Sequence, residues 1–233
     1  MMNQIKVENY KFARSLFFWL ALVFMIAVGF FNGYKWDVTA HELSLIKPIE
    51  QAISDMSFVF MPALFTAWFI GNSFSTRTIQ HEITTGASRF SVILSRAVPV
   101  FFASVLLHVS YIASTVISLG LRIGFSTFSL TTDHAVWFLT VILQILALEC
   151  FFIFVNFLCC NLYVGLIVSV IATFTLVNVF RNLFSEETWY KYSFFHFFES
   201  AARSGLITCA MVALASIIVL ASMTYVAFRK REI

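Results

Sequence analysis

A helix of about 20 apolar residues spans the hydrocarbon core of a bilayer, and six stretches of this 233-residue chain meet that requirement. They fall at Ser15–Tyr34, Ala52–Ile70, Ala97–Leu121, Ala135–Leu158, Leu162–Phe180 and Gly205–Phe228. With 60% hydrophobic and only 12% charged residues, the chain has too little polar surface to cover a soluble globule. The expected fold class is an all-α integral membrane protein with six transmembrane helices in one domain, residues 1–233. An even number of spans puts both termini on one side.

Cytoplasmic loops carry the excess of lysine and arginine. If the N-terminus is inside, the inner segments hold Lys6, Lys11, Arg14, Arg77, Arg89, Arg96, Arg229, Lys230 and Arg231, nine cations against Glu8, Glu82 and Glu232. The outer segments hold six cations against eight carboxylates. Both termini are therefore expected in the cytoplasm. Trp19 and Trp68 fall near inner span ends, Trp36 and Trp137 near outer ends and Trp189 in the last outer loop, as the interfacial preference of indole requires.

Lys6, Lys11 and Arg14 before an apolar run resemble a signal peptide, but no small-x-small cleavage site follows Phe31, so the run reads as a retained first span. Residues 1–14 read as an interfacial helix, with Ile5, Tyr10 and Phe12 at the acyl boundary and the three cations at headgroups. None of the eight glycines is followed by lysine, so the chain has no nucleotide-binding phosphate loop of its own. Cys150, Cys159, Cys160 and Cys209 show no C-x-x-C pairing and read as reduced packing residues rather than metal ligands. No catalytic group, cofactor, metal or nucleic-acid partner is expected.

Between the second and third spans runs GNSFSTRTIQHEITTGASRFSVILSR, residues 71–96. Residues 76–85 suit a short helix with Ile79 and Ile83 on one face and Arg77 and His81 nearly opposite. Gly86 suits a left-handed stop, and Ser88 a cap for the next helix, starting near Arg89. The residues alone leave open an ordinary surface helix with its apolar side on lipid or a protein-docking element.

The stretch resembles the signature region of the ABC-type-2 permeases, the membrane subunits of ABC exporters. Their pattern, close to F-x-x-G-T-I-R-N-x-x-x-x-G-x-S-R-x-x-x-x-x-S-K, lies between the second and third spans. Phe74, Thr78, Ile79, Gly86, Ser88, Arg89 and Ser95 match it, and Arg96 stands in place of the lysine. Arg77 stands where the pattern has glycine and Gln80 where it has arginine. The resemblance implies a coupling helix within 71–96, with Phe74, Arg77, Thr78, Ile79, His81, Glu82, Gly86, Ser88 and Arg89 as the residues coupling it to a separate ATPase. Two ATPase subunits, binding ATP and Mg, would join two permeases, as a homodimer or with a paralogous permease. It further implies a bacterial cell membrane and export of an amphipathic peptide, with lipid or a small drug as the alternative cargo.

Two further regions stand out. The outer segment 181–204 is rich in aromatics, and Phe194, Phe195, Phe197 and Phe198 suit either a re-entrant outer gate, as in the resembled family, or a helix lying flat on the membrane. Inside the spans the exceptional residue is Glu149, and counting about 1.5 Å per residue puts it about 14 Å deep, near His108 at about 16 Å. These two could pair, lining a substrate path or latching two states, or could simply fix packing. Asn156, Asn178 and Gln144 read as interhelical hydrogen-bonding groups, with Asn156 also beside the candidate path. Gly29 and Gly33 form a GxxxG that could serve close packing, including a homodimer seam. A non-transporting scaffold recruiting a cytoplasmic protein, and an ion-driven carrier using Glu149, are the rival readings.

Overall fold

A computed structural model describes residues 2–35, 49, 53, 55–125, 132–184, 187, 189, 192–193 and 205–231. Among these the chain is helical, with no strand. The helices are α1 (Met2–Ala13), α2 (Leu16–Lys35), α3 (Met56–Ser75), α4 (Thr78–Thr84), α5 (Arg89–Ile123), α6 (Thr132–Cys159), α7 (Leu162–Phe174) and α8 (Leu206–Arg229). A π-helical stretch, Thr175–Phe180, and a last turn, Arg181–Phe184, prolong α7. Six helices among the described residues are long and apolar enough to cross a membrane: α2, α3, α5, α6, the extended α7 and α8. Phe194, Phe195, Phe197 and Phe198, and with them the re-entrant outer segment, lie outside the described residues.

Local chemistry sets the helix starts. The Asp55 carboxylate accepts from the Ser57 N–H at the head of α3, and Asn161 Oδ1 accepts from Tyr163 and Val164 at the head of α7. Only Cys160 and Asn161 separate α6 from α7, and Cys160 makes the reversal with a positive φ of 49°.

The second and fourth spans form the centre, with 67% and 61% of their most apolar windows buried, against 11% for the sixth. Phe58, Phe65, Ile70, Leu107, Tyr111, Phe152 and Phe157 supply much of the core between them. The exposed residues of α8 are mostly apolar, among them Ile207, Met211 and Ile218, as a lipid-facing surface requires.

The GxxxG of the first span does pack closely, but inside the chain. A Cβ on Gly29 would lie 2.6 Å from the Tyr111 carbonyl oxygen, and one on Gly33 2.4 Å from that of Thr115, so α2 touches α5 backbone to backbone. Thr115 Oγ1 donates to the Gly29 carbonyl at 3.0 Å across this contact. The third span occupies that face, which leaves it no role as a homodimer seam.

The N-terminal segment is helical, but its apolar side is turned to protein. Phe12 is buried, 4.4 Å from the Phe18 ring and 6.1 Å from those of Phe65 and Phe102, rather than at an acyl boundary. Tyr10 stays exposed, with the Arg14 guanidinium 4.5 Å over its ring. Glu8, one turn before Phe12, is buried with it.

Candidate functional site

Beyond α3, the chain turns through Arg77, whose φ of 57° is left-handed, and enters the seven-residue α4. Without a branch at Cβ the residue tolerates this conformation, at a cost glycine would avoid. At the other end Gly86 has φ 96°; its N–H donates to the Ile83 carbonyl at 3.0 Å, while the Ala87 N–H reaches the Glu82 carbonyl at 2.9 Å. This paired closure is a Schellman stop, which needs a left-handed residue where Gly86 stands. Ser88 then caps α5, its Oγ accepting from the Ser91 N–H at 3.2 Å. Left-handed residues on either flank, Arg77 before α4 and Gly86 after it, thus fix α4 as a compact block between two spans.

The apolar side of α4 rests on protein, not lipid. Ile79 is fully buried in the core cluster, and Ile83 and Ala87 pack against it. Phe74, just before the turn, is buried edge-on to Phe157 and Phe228, at centroid distances of 5.6 and 6.3 Å.

An ion-pair junction holds the block from beneath. Arg96, with a side chain 0% exposed, donates through Nη1 and Nη2 to the two oxygens of Glu82 at 2.6 and 2.7 Å. Nη1 also donates to Ser95 Oγ at 2.9 Å. Glu8 of α1 stands on the other side, Oε1 3.8 Å from Arg96 Nη2 and 2.7 Å from Lys11 Nζ. Bidentate guanidinium–carboxylate contact fixes orientation as well as distance. Arg89 makes a second tie: Nη1 donates to the carbonyls of Phe228 and Arg231, at the end of α8, where a cation complements the helix dipole. Arg231 in turn donates to the Leu158 carbonyl at the end of α6. Both ends of the described chain therefore meet the first turns of α5, beside α4.

These contacts sort the residues of this stretch into two groups. Phe74, Ile79, Glu82, Ser88 and Arg89 turn inward or cap helices and hold α4 in place. Arg77, Gln80, His81, Thr84 and Thr85 are exposed and form a bare polar face. Thr78 is half-buried, its hydroxyl 2.9 Å from that of Thr76. The contribution of Glu8 and the burial of Arg96 had no sequence signal beyond the charge itself.

Deeper in the bundle, Glu149 and His108 are both buried, as their shared depth implies, but they form no ion pair. Glu149 Oε2 accepts from Thr66 Oγ1 at 2.8 Å, with the Ser104 hydroxyl as a second neighbour. His108 Nδ1 lies 2.7 Å from the Ser104 carbonyl and 3.2 Å from its hydroxyl, and the ring packs edge-on to Phe58 at 4.3 Å. Ser104 stands between the two groups because the rise per residue fixes depth and leaves the direction around the axis to packing. Asn156 Nδ2 donates to the Phe152 carbonyl at 2.8 Å and to Ser169 Oγ at 3.2 Å, tying α6 to α7. Beside these helices an apolar cleft of about 150 Å³ opens between α5, α6 and α8, lined among others by Leu94, Phe101, Ile153, Ile217 and Tyr225.

No family model, curated protein or solved structure matches the chain. What α4 can do rests on its geometry: a short, polar-faced helix, ionically fastened to the third span through an arginine that Glu8 of the N-terminal helix also approaches.

Proposed function

We propose that the chain is the permease subunit of an ATP-driven exporter, and that α4 is the helix through which a separate ATPase moves it. The observation that carries this reading is the polar face of Arg77, Gln80, His81, Thr84 and Thr85, left bare on a block whose opposite side is locked into the bundle. A surface helix with no partner has no need of two left-handed turns and a buried ion pair to fix its position. The left-handed φ at Arg77 also falls where the resembled permease pattern has glycine, the residue best suited to that conformation. The excess of cations at this end favours the cytoplasm for α4 and both termini. The apolar cleft between α5, α6 and α8 favours a hydrophobic or amphipathic cargo, with a peptide as the working choice.

The test is to co-express the chain with the ATPase encoded beside it, purify the pair, and assay ATP hydrolysis in nanodiscs with an amphipathic peptide. A stable complex is expected, with a turnover that changes on adding peptide. Gly86→Val should abolish that change, because a β-branched residue resists the φ of 96° that closes α4. If no ATPase co-purifies and transport instead follows a proton gradient lost in Glu149→Gln, the carrier reading replaces this one.

A further inference from the structure

The junction beneath α4 has one tight arm and one loose arm. Glu82 holds Arg96 with both oxygens, at 2.6 and 2.7 Å, from an edge where its side chain is 19% exposed. Glu8 reaches the same guanidinium only at 3.8 Å, yet its side chain is 2% exposed. The loose side also has spare capacity: Glu8 Oε2 and Arg96 Nε are both buried and neither has a hydrogen-bond partner. A guanidinium cannot be left unpaired where Arg96 sits, because an uncompensated buried charge is strongly destabilising. Any movement that draws Glu82 away must therefore supply another anion, and Glu8 is the carboxylate already in place, with a vacant acceptor facing a vacant donor's side chain.

We propose that Arg96 is exchanged between Glu82 and Glu8, so that the position of α4 is reported to α1. With α4 seated, as here, Arg96 holds Glu82, and Glu8 is held chiefly by Lys11 at 2.7 Å. With α4 drawn outward, the guanidinium turns to Glu8 and fastens α1 onto α5. The fork geometry of arginine suits this exchange, since five N–H donors can engage a new carboxylate before the old one is fully released. Arg96 is on this account a positioning residue, and α1 is a moving part of the permease rather than a passive anchor. The inference deepens the docking role of α4 by naming a receiver within the chain, but its test needs neither ATPase nor nucleotide. Failure to find an ATPase partner would therefore leave this result standing, and the reverse.

The experiment is hydrogen–deuterium exchange on the full chain in nanodiscs of phosphatidylethanolamine and phosphatidylglycerol, comparing wild type with Glu82→Gln and Glu8→Gln. Glu82→Gln weakens the tight arm, so exchange in 78–87 should quicken while exchange in 2–13 slows by about threefold, as Arg96 passes to Glu8. Glu8→Gln should quicken exchange in 2–13 and leave 78–87 unchanged. These opposite responses distinguish an exchange from a fixed scaffold, in which loosening one arm loosens its neighbour. If Glu82→Gln leaves 2–13 at the wild-type rate or quickens it, the exchange is overturned. Should that variant fail to fold, Glu82→Asp, one methylene shorter, makes the same test with the charge retained.

Discussion

Glu82 and Glu149 are both carboxylates held against the bundle, but their partners differ in kind. Glu82 faces a guanidinium that binds both its oxygens, at the end of the bundle where α1, α4 and α5 converge. Glu149 lies among the spans and is met only by the hydroxyls of Thr66 and Ser104. The difference follows from the surroundings. At the end of the bundle a full ion pair forms and orients a short helix, whereas neutral hydroxyls between spans supply contact without a second charge to bury. One site fixes a position, and the other fills a place in a core.

The sharpest way to break this contrast is Arg96→Ala, which leaves Glu82 without its ion partner and Glu8 with Lys11 alone. Stability should fall by about 3–5 kcal/mol, read as a shift in the unfolding midpoint of the micelle-solubilised chain, and Arg96→Met combined with Glu82→Leu should recover much of it. Glu149→Gln should do far less. The amide keeps an oxygen that can accept from Thr66, so a loss below about 1 kcal/mol is expected in the same assay. A loss as large as that of Arg96→Ala would show that Glu149 holds its neighbours by charge, and the contrast would collapse. The smallest effect is a gain: Arg77→Gly relieves the left-handed φ of 57° and should raise stability by up to about 1 kcal/mol. A loss there would mean that the guanidinium of Arg77 has a structural contact of its own.

The spans were legible because hydropathy over about 20 residues is a strong, local signal. The Gly86 stop and the Ser88 cap were legible for a similar reason, since each depends on a few adjacent residues. Arg77 shows where local reading ends: arginine carries no mark of a left-handed turn, and only the glycine of the resembled pattern pointed there. The Glu8–Arg96 approach joins positions 88 apart, and in the sequence Glu8 read only as a charge of the N-terminal helix and Arg96 only as standing for the lysine of the resembled pattern. Which side of a helix faces which neighbour was equally hidden, so counting residues set the depth of Glu149 and His108 but could not foresee Ser104 between them. The GxxxG of α2 announced close packing without naming its partner, which only the fold could reveal as α5.

That backbone contact has a mechanical consequence. Where Gly29 and Gly33 lie against Tyr111 and Thr115, only small side chains such as Ser114, Thr115 and Ser118 share the contact, so the first and third spans form a single two-ply beam. The 35 residues of α5 extend about 52 Å at 1.5 Å per residue, well beyond the hydrocarbon thickness. Arg96 lies near one tip of this beam. Between that point and the doubled section lies Pro99, which has no N–H to complete the helical ladder. If α5 has a joint, this is the place for it, on the Arg96 side of the doubled section, where the helical ladder lacks one hydrogen bond.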